Sequence, residues 1–167
     1  QVAHRVTCLQ DPNLSGIPFH MLRVDIAGNI SKRFSMSGIE IPRYGGACPR
    51  WNIYSAFTTP GKIQTAVSKM SNGEKYVCIA RTVEKGVGRY GETRSMLSIG
   101  LGCEAKYAKD FVYTENLNIN DKKSEIPIGV SCRTCDRLDC SQRAFPPLHK
   151  KFDVDINSRG VSVYVSD

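Results

Sequence analysis

The stretch YVCIARTVEKGVGRYGETRSMLSIGLG, residues 76–102, decides the fold class of this chain. Residues that favour β-strands are concentrated in Tyr76 to Glu84 and again in Arg94 to Gly102. The connection from Lys85 to Gly91 is rich in glycine, as expected of a hairpin loop. This pattern predicts a long antiparallel hairpin, and it does not resemble the parallel βαβ series of a dinucleotide-binding fold.

A shorter hairpin is predicted nearer the N-terminus. Its strands are Phe19 to Asp25 and Asn29 to Phe34, and the turn between them contains Gly28, which tolerates a positive φ angle. The next segment, Ser37 to Arg50, contains three glycines and two prolines. Because these residues interrupt both helices and long strands, we expect a shaped loop there.

A helix is predicted to follow this loop. The pattern becomes helical from Trp51, and Thr59-Pro60 is a good pair for an N-cap and a first helical turn. The apolar residues expected on one face of this helix are Ile63, Ala66, Val67 and Met70. We expect Ser71-Asn72-Gly73 to end it.

Shorter elements are expected after the long hairpin. Glu104 to Tyr113 has apolar residues at helical spacing, and Asn116 to Glu125 is a polar connection. Cys132 to Phe145 lacks Gly and Pro and is expected to form a short helix or a tightly wound loop. Val161 to Val165 is predicted to add a last strand. The sequence therefore predicts an α+β fold: an antiparallel sheet built from two hairpins, with packed helices and a Cys-rich C-terminal segment that binds a cluster.

Length and composition indicate one globular domain. The chain has 167 residues, of which 41% are hydrophobic, and a formal net charge of +7. We expect a single domain over residues 1–167. No stretch approaches the roughly 20 consecutive apolar residues that span a bilayer, and no secretion signal opens the chain. A cytoplasmic protein without membrane contact is therefore expected, and a start at Gln1 indicates a fragment or a processed product.

Four of the seven cysteines have a spacing typical of a metal site. Cys132 and Cys135 form a Cys-x-x-Cys pair, Cys140 follows closely, and Cys103 lies at the end of a predicted strand. Four thiolates satisfy either a tetrahedral zinc ion or a four-iron cluster. Three compact cysteines and one distant cysteine favour the cluster, while zinc remains the alternative, with His149 as a possible replacement ligand.

The remaining cysteines are interpreted differently. Cys78 lies in an apolar β-rich run and is expected in the core, because free cysteine is among the most buried residue types. Cys48 lies in the Gly- and Pro-rich loop and is interpreted as structural, and Cys8 lies near a terminus.

Four motifs, in order along the chain, indicate a resemblance to a known protein family. They are IPFHMLRVD at 17–25 with AGNISKR at 27–33, GGACPRWN at 45–52, LGC at 101–103 and CRTCDRLDCSQRAFPP at 132–147. From about Pro18 to Pro147 the chain resembles the C-terminal domain of the short-chain fatty acyl-CoA regulators, bacterial transcription factors of the helix-turn-helix type. Within that family it looks closest to the regulators of the methylcitrate cycle of propionate breakdown.

This resemblance implies an effector-sensing domain. Family members carry an N-terminal DNA-binding domain, which is absent from this chain, and their C-terminal domain senses coenzyme A or short-chain acyl-CoA. The methylcitrate branch is associated with a [4Fe-4S] cluster and with a homotetramer assembled around the ligand, so a dimer of dimers is expected. The positions here that match the cluster site are Cys103, Cys132, Cys135 and Cys140.

The chemistry of coenzyme A selects further candidates. Its phosphates require Arg or Lys, and its adenine and pantetheine groups require aromatic or apolar surface. The candidate CoA-binding residues are Arg23, Lys32, Arg33, Arg43, Arg50 and Trp51, which fall on the first hairpin and the Gly-rich loop. A solvated charged face and a core tryptophan are the alternative interpretation of the same residues.

The alternatives to an effector-sensing domain are a structural zinc module and an enzyme. A structural zinc module for contacts with protein or DNA is the main alternative, although no DNA-reading motif is present and the +7 charge is spread along the sequence. An enzyme, such as a redox protein or a thioesterase, is not expected. The histidines His4, His20 and His149 have no partnered nucleophile motif, and there is no Gly-x-Ser-x-Gly elbow.

Overall fold

A computed structural model describes residues 1–9, 16–86, 89–91, 94–115, 117–149 and 157. These residues form a six-stranded sheet. Its strands are β1 (His20–Asp25), β2 (Ile30–Ser35), β3 (Gln64–Lys69), β4 (Lys75–Lys85), β5 (Ser95–Glu104) and β6 (Glu125–Pro127). The order across the sheet is β2-β1-β5-β4-β3-β6, and every neighbouring pair is antiparallel except β3 and β6.

Helical structure is limited to short pieces. The α-helices are α1 (Val2–Cys8) and α2 (Asn52–Ser55). The 3₁₀-helices are Ala56–Thr58, Ala105–Asp110, Val112–Thr114 and Cys132–Thr134. Among the described residues, no helix is both long enough and apolar enough to cross a membrane.

Both predicted hairpins are confirmed, as β1–β2 and β4–β5, and β1 pairs with β5 to join them into one sheet. The first turn is closed by Asp25, whose carboxylate oxygens accept hydrogen bonds from the backbone and side-chain nitrogens of Asn29, both at 2.9 Å. Gly28 in this turn has a φ angle of 86°. A side chain would be strained in that conformation, which is why the sequence has glycine there.

The helix predicted after Thr59-Pro60 is wrong. Gln64–Lys69 forms strand β3, and Asn72-Gly73 is the turn of a third hairpin, in which the backbone N–H of Met70 donates to the carbonyl of Glu74. The apolar residues matched a helical face by coincidence, whereas an Asn-Gly pair between β-forming runs is a strong hairpin signal.

Other sequence expectations are partly corrected. The stretch predicted as a helix over Glu104 to Tyr113 begins as the end of β5 and continues as two 3₁₀-helices. Cys132 to Phe145 is mostly loop after one 3₁₀ turn. The sheet is mixed rather than purely antiparallel, because β6 adds parallel to β3. The predicted strand at Val161 to Val165 lies outside the described residues.

The core covers one face of this sheet. Alternate residues of the central strands point to the same face, and those in the core include Leu22 and Val24 of β1 and Tyr76, Cys78 and Ala80 of β4. The residues that cover them from outside the sheet are Ile39, Ala47, Cys48, Trp51, Ile53, Ala56 and Ile128. The Gly-rich loop, α2 and the segment after β6 are therefore anchored on the same side of the sheet.

Candidate functional site

An open cavity of about 600 Å³ lies where these three covering segments meet the turn between β1 and β2. Its lining residues are Ala27, Gly28, Asn29, Tyr44, Gly45, Gly46, Ala47, Pro49, Tyr54, Ser131, Cys132, Arg133, Ala144 and Phe145. The volume is within the roughly 300–1,000 Å³ of small-molecule sites. The cavity therefore joins two motifs that are far apart in sequence, the Gly-Gly loop and the Cys-rich segment.

Tyr54 of α2 holds the loop and the turn in place. Its hydroxyl accepts a hydrogen bond from the backbone N–H of Ala47 at 3.0 Å and donates to the carbonyl of Gly28 at 3.5 Å. A Cβ atom on Gly46 would lie 3.5 Å from the same carbonyl, so the loop and the turn approach each other closely. Burial raises the pKa of Tyr54, so the hydroxyl keeps the proton that it donates.

A second cavity, of about 490 Å³, adjoins the first at Tyr44, which lines both. Its lining includes Arg33 and Arg43 with the apolar side chains of Ile39 and Ile41. Arg33 is oriented by a hydrogen bond of 2.8 Å from its Nη1 to the carbonyl of Pro42. Two guanidinium groups beside an apolar cavity provide charge-assisted donors for an anionic group such as a phosphate.

The other predicted CoA-binding residues are placed elsewhere. Arg23 lies between Leu22 and Val24 of the core, so it points to the opposite face of the sheet, and Lys32 is its cross-strand partner. Arg23 donates from Nε to the Ser31 hydroxyl at 2.9 Å. The structure therefore brings Arg33 and Arg43 together and separates Arg23 and Lys32 from them.

Trp51 supports the site from the core side, and Arg50 precedes it in the chain. Trp51 is only 6% exposed and packs in the core, and its indole Nε1 donates to the carbonyl of Gly129 at 2.9 Å. This bond ties the start of α2 to the segment that follows β6. Arg50 is half-buried, and its backbone N–H lowers the pKa of the Cys48 thiol against the larger effect of burial.

Cys48, which lies between two residues that line the first cavity, is within electrostatic range of Cys132 and Cys135. Burial raises the pKa of Cys48, hydrogen bonds from the backbone N–H groups of Gly129 and Arg50 oppose that rise, and the charges of Cys132 and Cys135 add to it. The backbone agrees with this placement, because the N–H of Cys48 donates to the carbonyl of Val130 at 3.0 Å. A Cβ atom on Gly129 would lie 3.0 Å from the sulfur of Cys135, so the backbone of Gly129 packs tightly against that side chain.

Cys103 lies apart from this group. In the register of β4 and β5 it pairs with Val77, whereas the core residue Cys78 pairs with Gly102. Because neighbouring residues in a strand point to opposite faces, Cys103 is directed away from the face that carries Cys48. It is fully buried, and burial raises its pKa to about 11.

Arg143 organises the Cys-rich segment. It is only 4% exposed, and its guanidinium donates to the carbonyls of Cys132 at 2.7 Å, Cys135 at 3.0 Å and Phe145 at 3.2 Å, and also to that of Arg137. A buried cation beside thiol-bearing residues stabilises negative charge there. At the rim, the Arg133 guanidinium lies over the ring of Phe145, 5.0 Å from its centroid, and both line the first cavity.

The candidate metal ligands occupy different parts of the structure. Within the described part of the chain, no group of three or more Cys, His, Asp or Glu side chains is arranged to hold a metal ion. Cys103 is directed to the sheet face opposite the one that carries Cys48, whereas Cys132 and Cys135 lie within electrostatic range of Cys48, so the structure does not bring the four predicted cysteines together. His149, the alternative zinc ligand, instead lies 2.7 Å from a carboxylate oxygen of Asp136 at the surface.

Sequence reasoning missed several residues of the site. Cys48 was interpreted as merely structural, and Tyr54, Arg133 and Phe145 were not singled out as cavity residues. One signal was available for Cys48, since it lies between the Gly-Gly pair and Trp51 in a motif that had been noted for other reasons. Its nearness to Cys132 depends on tertiary packing, which spacing along the chain does not contain.

Comparisons with known proteins agree on one family. A family model described as "Short-chain fatty acyl coenzyme A regulator, C-terminal" matches residues 8–164. The HTH-type transcriptional regulator RamB of Mycobacterium tuberculosis (strain ATCC 25618 / H37Rv) is 44% identical over 166 residues, which cover 98% of this chain. The propionyl-CoA carboxylase regulator of Cereibacter sphaeroides is 44% identical over 98% of this chain, and the HTH-type transcriptional regulator PrpR of Mycobacterium tuberculosis is 40% identical over 99%.

The matched region is only part of these relatives. The chain spans about a third of their length, 35% of RamB and 34% of PrpR. A solved structure described as a Mycobacterium tuberculosis transcriptional regulator has a TM-score of 0.87 and 39% identity, covering 96% of this chain and 49% of that one. The relatives are named as regulators, which confirms the expectation that the chain is not an enzyme. The chain belongs to the short-chain fatty acyl-coenzyme A regulator family, and it corresponds to the C-terminal domain of that family.

Proposed function

We propose that this chain is the effector-sensing domain of a bacterial transcriptional regulator and that its effector is coenzyme A or a short-chain acyl-CoA. One observation carries the proposal: two adjoining cavities share Tyr44, one of them lined by Arg33 and Arg43 and the other by mostly uncharged surface. A long ligand with phosphates at one end and an apolar arm at the other matches this division. The membership of the family supports the same ligand class.

The charged end of the ligand belongs at Arg33 and Arg43. Arginine binds phosphate with two parallel hydrogen bonds, and the Pro42 carbonyl orients one of these side chains. The pantetheine arm and the acyl group belong in the larger cavity, between the Gly-Gly loop and Phe145. There Arg133 provides a further cation at the rim.

The proposed cofactor, assembly, DNA binding and place of action are taken from the family. We propose, from the family alone, a [4Fe-4S] cluster, or zinc as the alternative, for which Cys103, Cys132, Cys135 and Cys140 are the predicted ligands, and a homo-oligomer built as a dimer of dimers. DNA binding is assigned to an N-terminal domain outside this chain, in agreement with the share of the relatives that the chain covers. Action in the bacterial cytoplasm, on propionate or short-chain acyl-CoA metabolism, is part of the same proposal.

Isothermal titration calorimetry with coenzyme A, acetyl-CoA and propionyl-CoA tests the effector site. Arg33→Ala and Arg43→Ala should each weaken binding by about 1–2 kcal/mol, roughly five- to thirty-fold, because each removes a charge-assisted contact at an exposed site. Arg23→Ala is the matched control, since it removes a cation of the same hairpin from the opposite face.

The control decides how the result is interpreted. If Arg23→Ala weakens binding as much as Arg33→Ala does, the effect is general attraction between a basic chain and an anion, and the cavity assignment is wrong. If no CoA species produces heat or a thermal shift with the unsubstituted chain, the effector proposal fails altogether.

A further inference from the structure

We propose that the sheet face opposite the core binds the phosphate backbone of duplex DNA. The contacts come from three basic side chains that lie side by side across the sheet and together form the basic row: Lys32, Arg23 and Arg81. The inference rests on the proposed function only in choosing DNA as the polyanion, because a transcriptional regulator acts on DNA. It adds a second DNA contact to the one assigned to the N-terminal domain.

The strand register builds the basic row. Lys32 of β2 is the cross-strand partner of Arg23 of β1. Ile99 of β5 pairs with Arg23 on one side and with Arg81 of β4 on the other. Directly paired residues share a face of the sheet. Since neighbouring strands are about 4.8 Å apart, the row spans about 14 Å across four strands.

The charge of the strand residues on this face is mainly positive. The cations are Arg23, Lys32, Lys69, Lys75, Arg81 and Lys85, and the carboxylates are Asp25 and Glu125. Both carboxylates have other partners, because Asp25 accepts hydrogen bonds from Asn29 and Glu125 lies between Lys69 and Lys75. Within the described part of the chain, no carboxylate forms an ion pair with the basic row.

The basic row is open to solvent. Lys32 and Arg81 are exposed, and Ile99 between the two arginines is only half-buried. The Nε of Arg23 donates to the Ser31 hydroxyl at 2.9 Å, which orients the guanidinium and leaves its Nη groups to contact a ligand. Further along the same strands the face is closed, since Met21, Val77 and Cys103 are buried. The open part of the face is therefore the part that carries the basic row.

The chemistry of the row favours DNA over a protein partner. The centres of protein–protein interfaces are depleted of lysine and enriched in aromatic residues, whereas this row surrounds one half-buried isoleucine with cations. Duplex DNA carries one negative charge per roughly 1.7 Å of its axis, and Lys and Arg bind its phosphates without reading the bases. The basic row therefore fits a contact that does not depend on DNA sequence.

DNA at this face does not compete with the proposed effector. Arg33 follows Lys32 in β2 but pairs with the core residue Leu22, so it points to the other face and lines the effector cavity. Successive residues of one strand thus serve different ligands. Effector and DNA can be bound at the same time.

Fluorescence anisotropy with labelled duplex DNA tests the inference. The full 167-residue chain is titrated into two duplexes of equal length and unrelated sequence, over a series of salt concentrations. The test variant is Arg23→Gln/Arg81→Gln. The matched control is Lys122→Gln/Lys123→Gln, which removes the same charge from exposed positions in the loop before β6.

We expect the unsubstituted chain to bind both duplexes with similar affinity, and more weakly as salt increases. In Arg23→Gln/Arg81→Gln, the slope of the logarithm of the binding constant against the logarithm of salt concentration should decrease in magnitude by about 2, since each lost phosphate contact removes roughly 0.9. The control should keep the slope of the unsubstituted chain. The proposal is overturned if the unsubstituted chain does not bind at the lowest salt, or if the two variants lose the same slope.

A second pair covers the case in which the test variant loses its thermal unfolding transition. Lys32→Gln/Lys85→Gln removes two exposed cations from the same face and should reduce the slope by the same amount. Polyglutamate is added as a competitor at the same concentration of charge as the duplex. Displacement of the duplex by polyglutamate would show that the face does not prefer DNA phosphates to an acidic protein, and would also refute the proposal.

Coenzyme A titration of the same samples separates this inference from the proposed effector. Heat on addition of coenzyme A without any binding of duplex removes only the DNA contact. Binding of duplex that depends on the basic row, without any response to coenzyme A, supports the DNA contact and removes the effector proposal.

Discussion

Replacing Arg143 with alanine should release the Cys-rich segment while leaving the sheet folded. In the structure this buried guanidinium donates to four carbonyls of the segment 132–145. A hydrogen bond to a charged group contributes roughly 1.5–3 kcal/mol, and the cost of burying the cation offsets part of that sum. We therefore expect the free energy of local opening of this segment to fall by about 3 kcal/mol, which corresponds to roughly a 100-fold increase in the opening equilibrium constant.

Hydrogen–deuterium exchange measures this directly. The backbone N–H groups of Cys135, Arg143 and Leu148 are hydrogen-bonded within the segment or to it, so their exchange should accelerate in Arg143→Ala, while the amides of β4 should not change. Arg143→Lys should give an intermediate rate, since an ammonium group keeps the charge but lacks the planar fork. Unchanged exchange in the segment, or equal acceleration in β4, would show that Arg143 does not organise this segment separately from the sheet.

Two further predictions concern the central sheet. Gly102→Ala should lower the free energy of unfolding by about 2–3 kcal/mol in urea titrations, because its Cβ atom would lie 2.6 Å from His20 Nε2 and 2.7 Å from the Cys78 sulfur. Gly100→Ala, whose Cβ atom would lie 3.1 Å from Ile53 Cδ1, should cost less than about 1 kcal/mol, and equal costs would contradict this explanation. Burial lowers the pKa of His20 to about 3, below its ordinary value of 6.5, so its neutral form is favoured in the fold. The contribution of neutral His20 to the free energy of unfolding is fully present above pH 6.5. It should fall by about 1.4 kcal/mol per pH unit as the pH decreases toward 3, and His20→Gln should reduce this slope.

The strands that were predicted correctly can be recognised from a short window of sequence. β4 and β5 are rich in β-forming residues and the loop between them is rich in glycine, so a short window of sequence was enough. β3 was mistaken for a helix because Ile63, Ala66, Val67 and Met70 fall at helical spacing, whereas the Asn72-Gly73 turn was the signal for a hairpin. β6 has only three residues and includes Pro127, which leaves too little pattern to recognise.

Prediction of the candidate site depends on tertiary contacts more strongly than prediction of the strands does. The sequence singled out the Cys-rich segment and six CoA-binding candidates by residue type, and the structure places two of those candidates, Arg33 and Arg43, on one cavity. Spacing alone, however, does not state which face of a strand a residue occupies. Cys103 is at a strand end as predicted, but the strand register directs it away from the face that carries Cys48.

The short parallel strand β6 affects how readily the sheet can pair with strands of other chains. Exposed edge strands are templates for pairing with other chains, and β6 covers the outer side of β3. It is held there by Glu125, whose carboxylate lies between Lys69 at 3.3 Å and Lys75, and by the backbone N–H of Ile128, which donates to the carbonyl of Lys69. The other edge, β2, exposes Lys32 and Arg33, and such charges disfavour aggregation through strand addition. Both edges of the sheet thus disfavour polymerisation, one because its edge strand β6 has only three residues and the other because β2 carries charge.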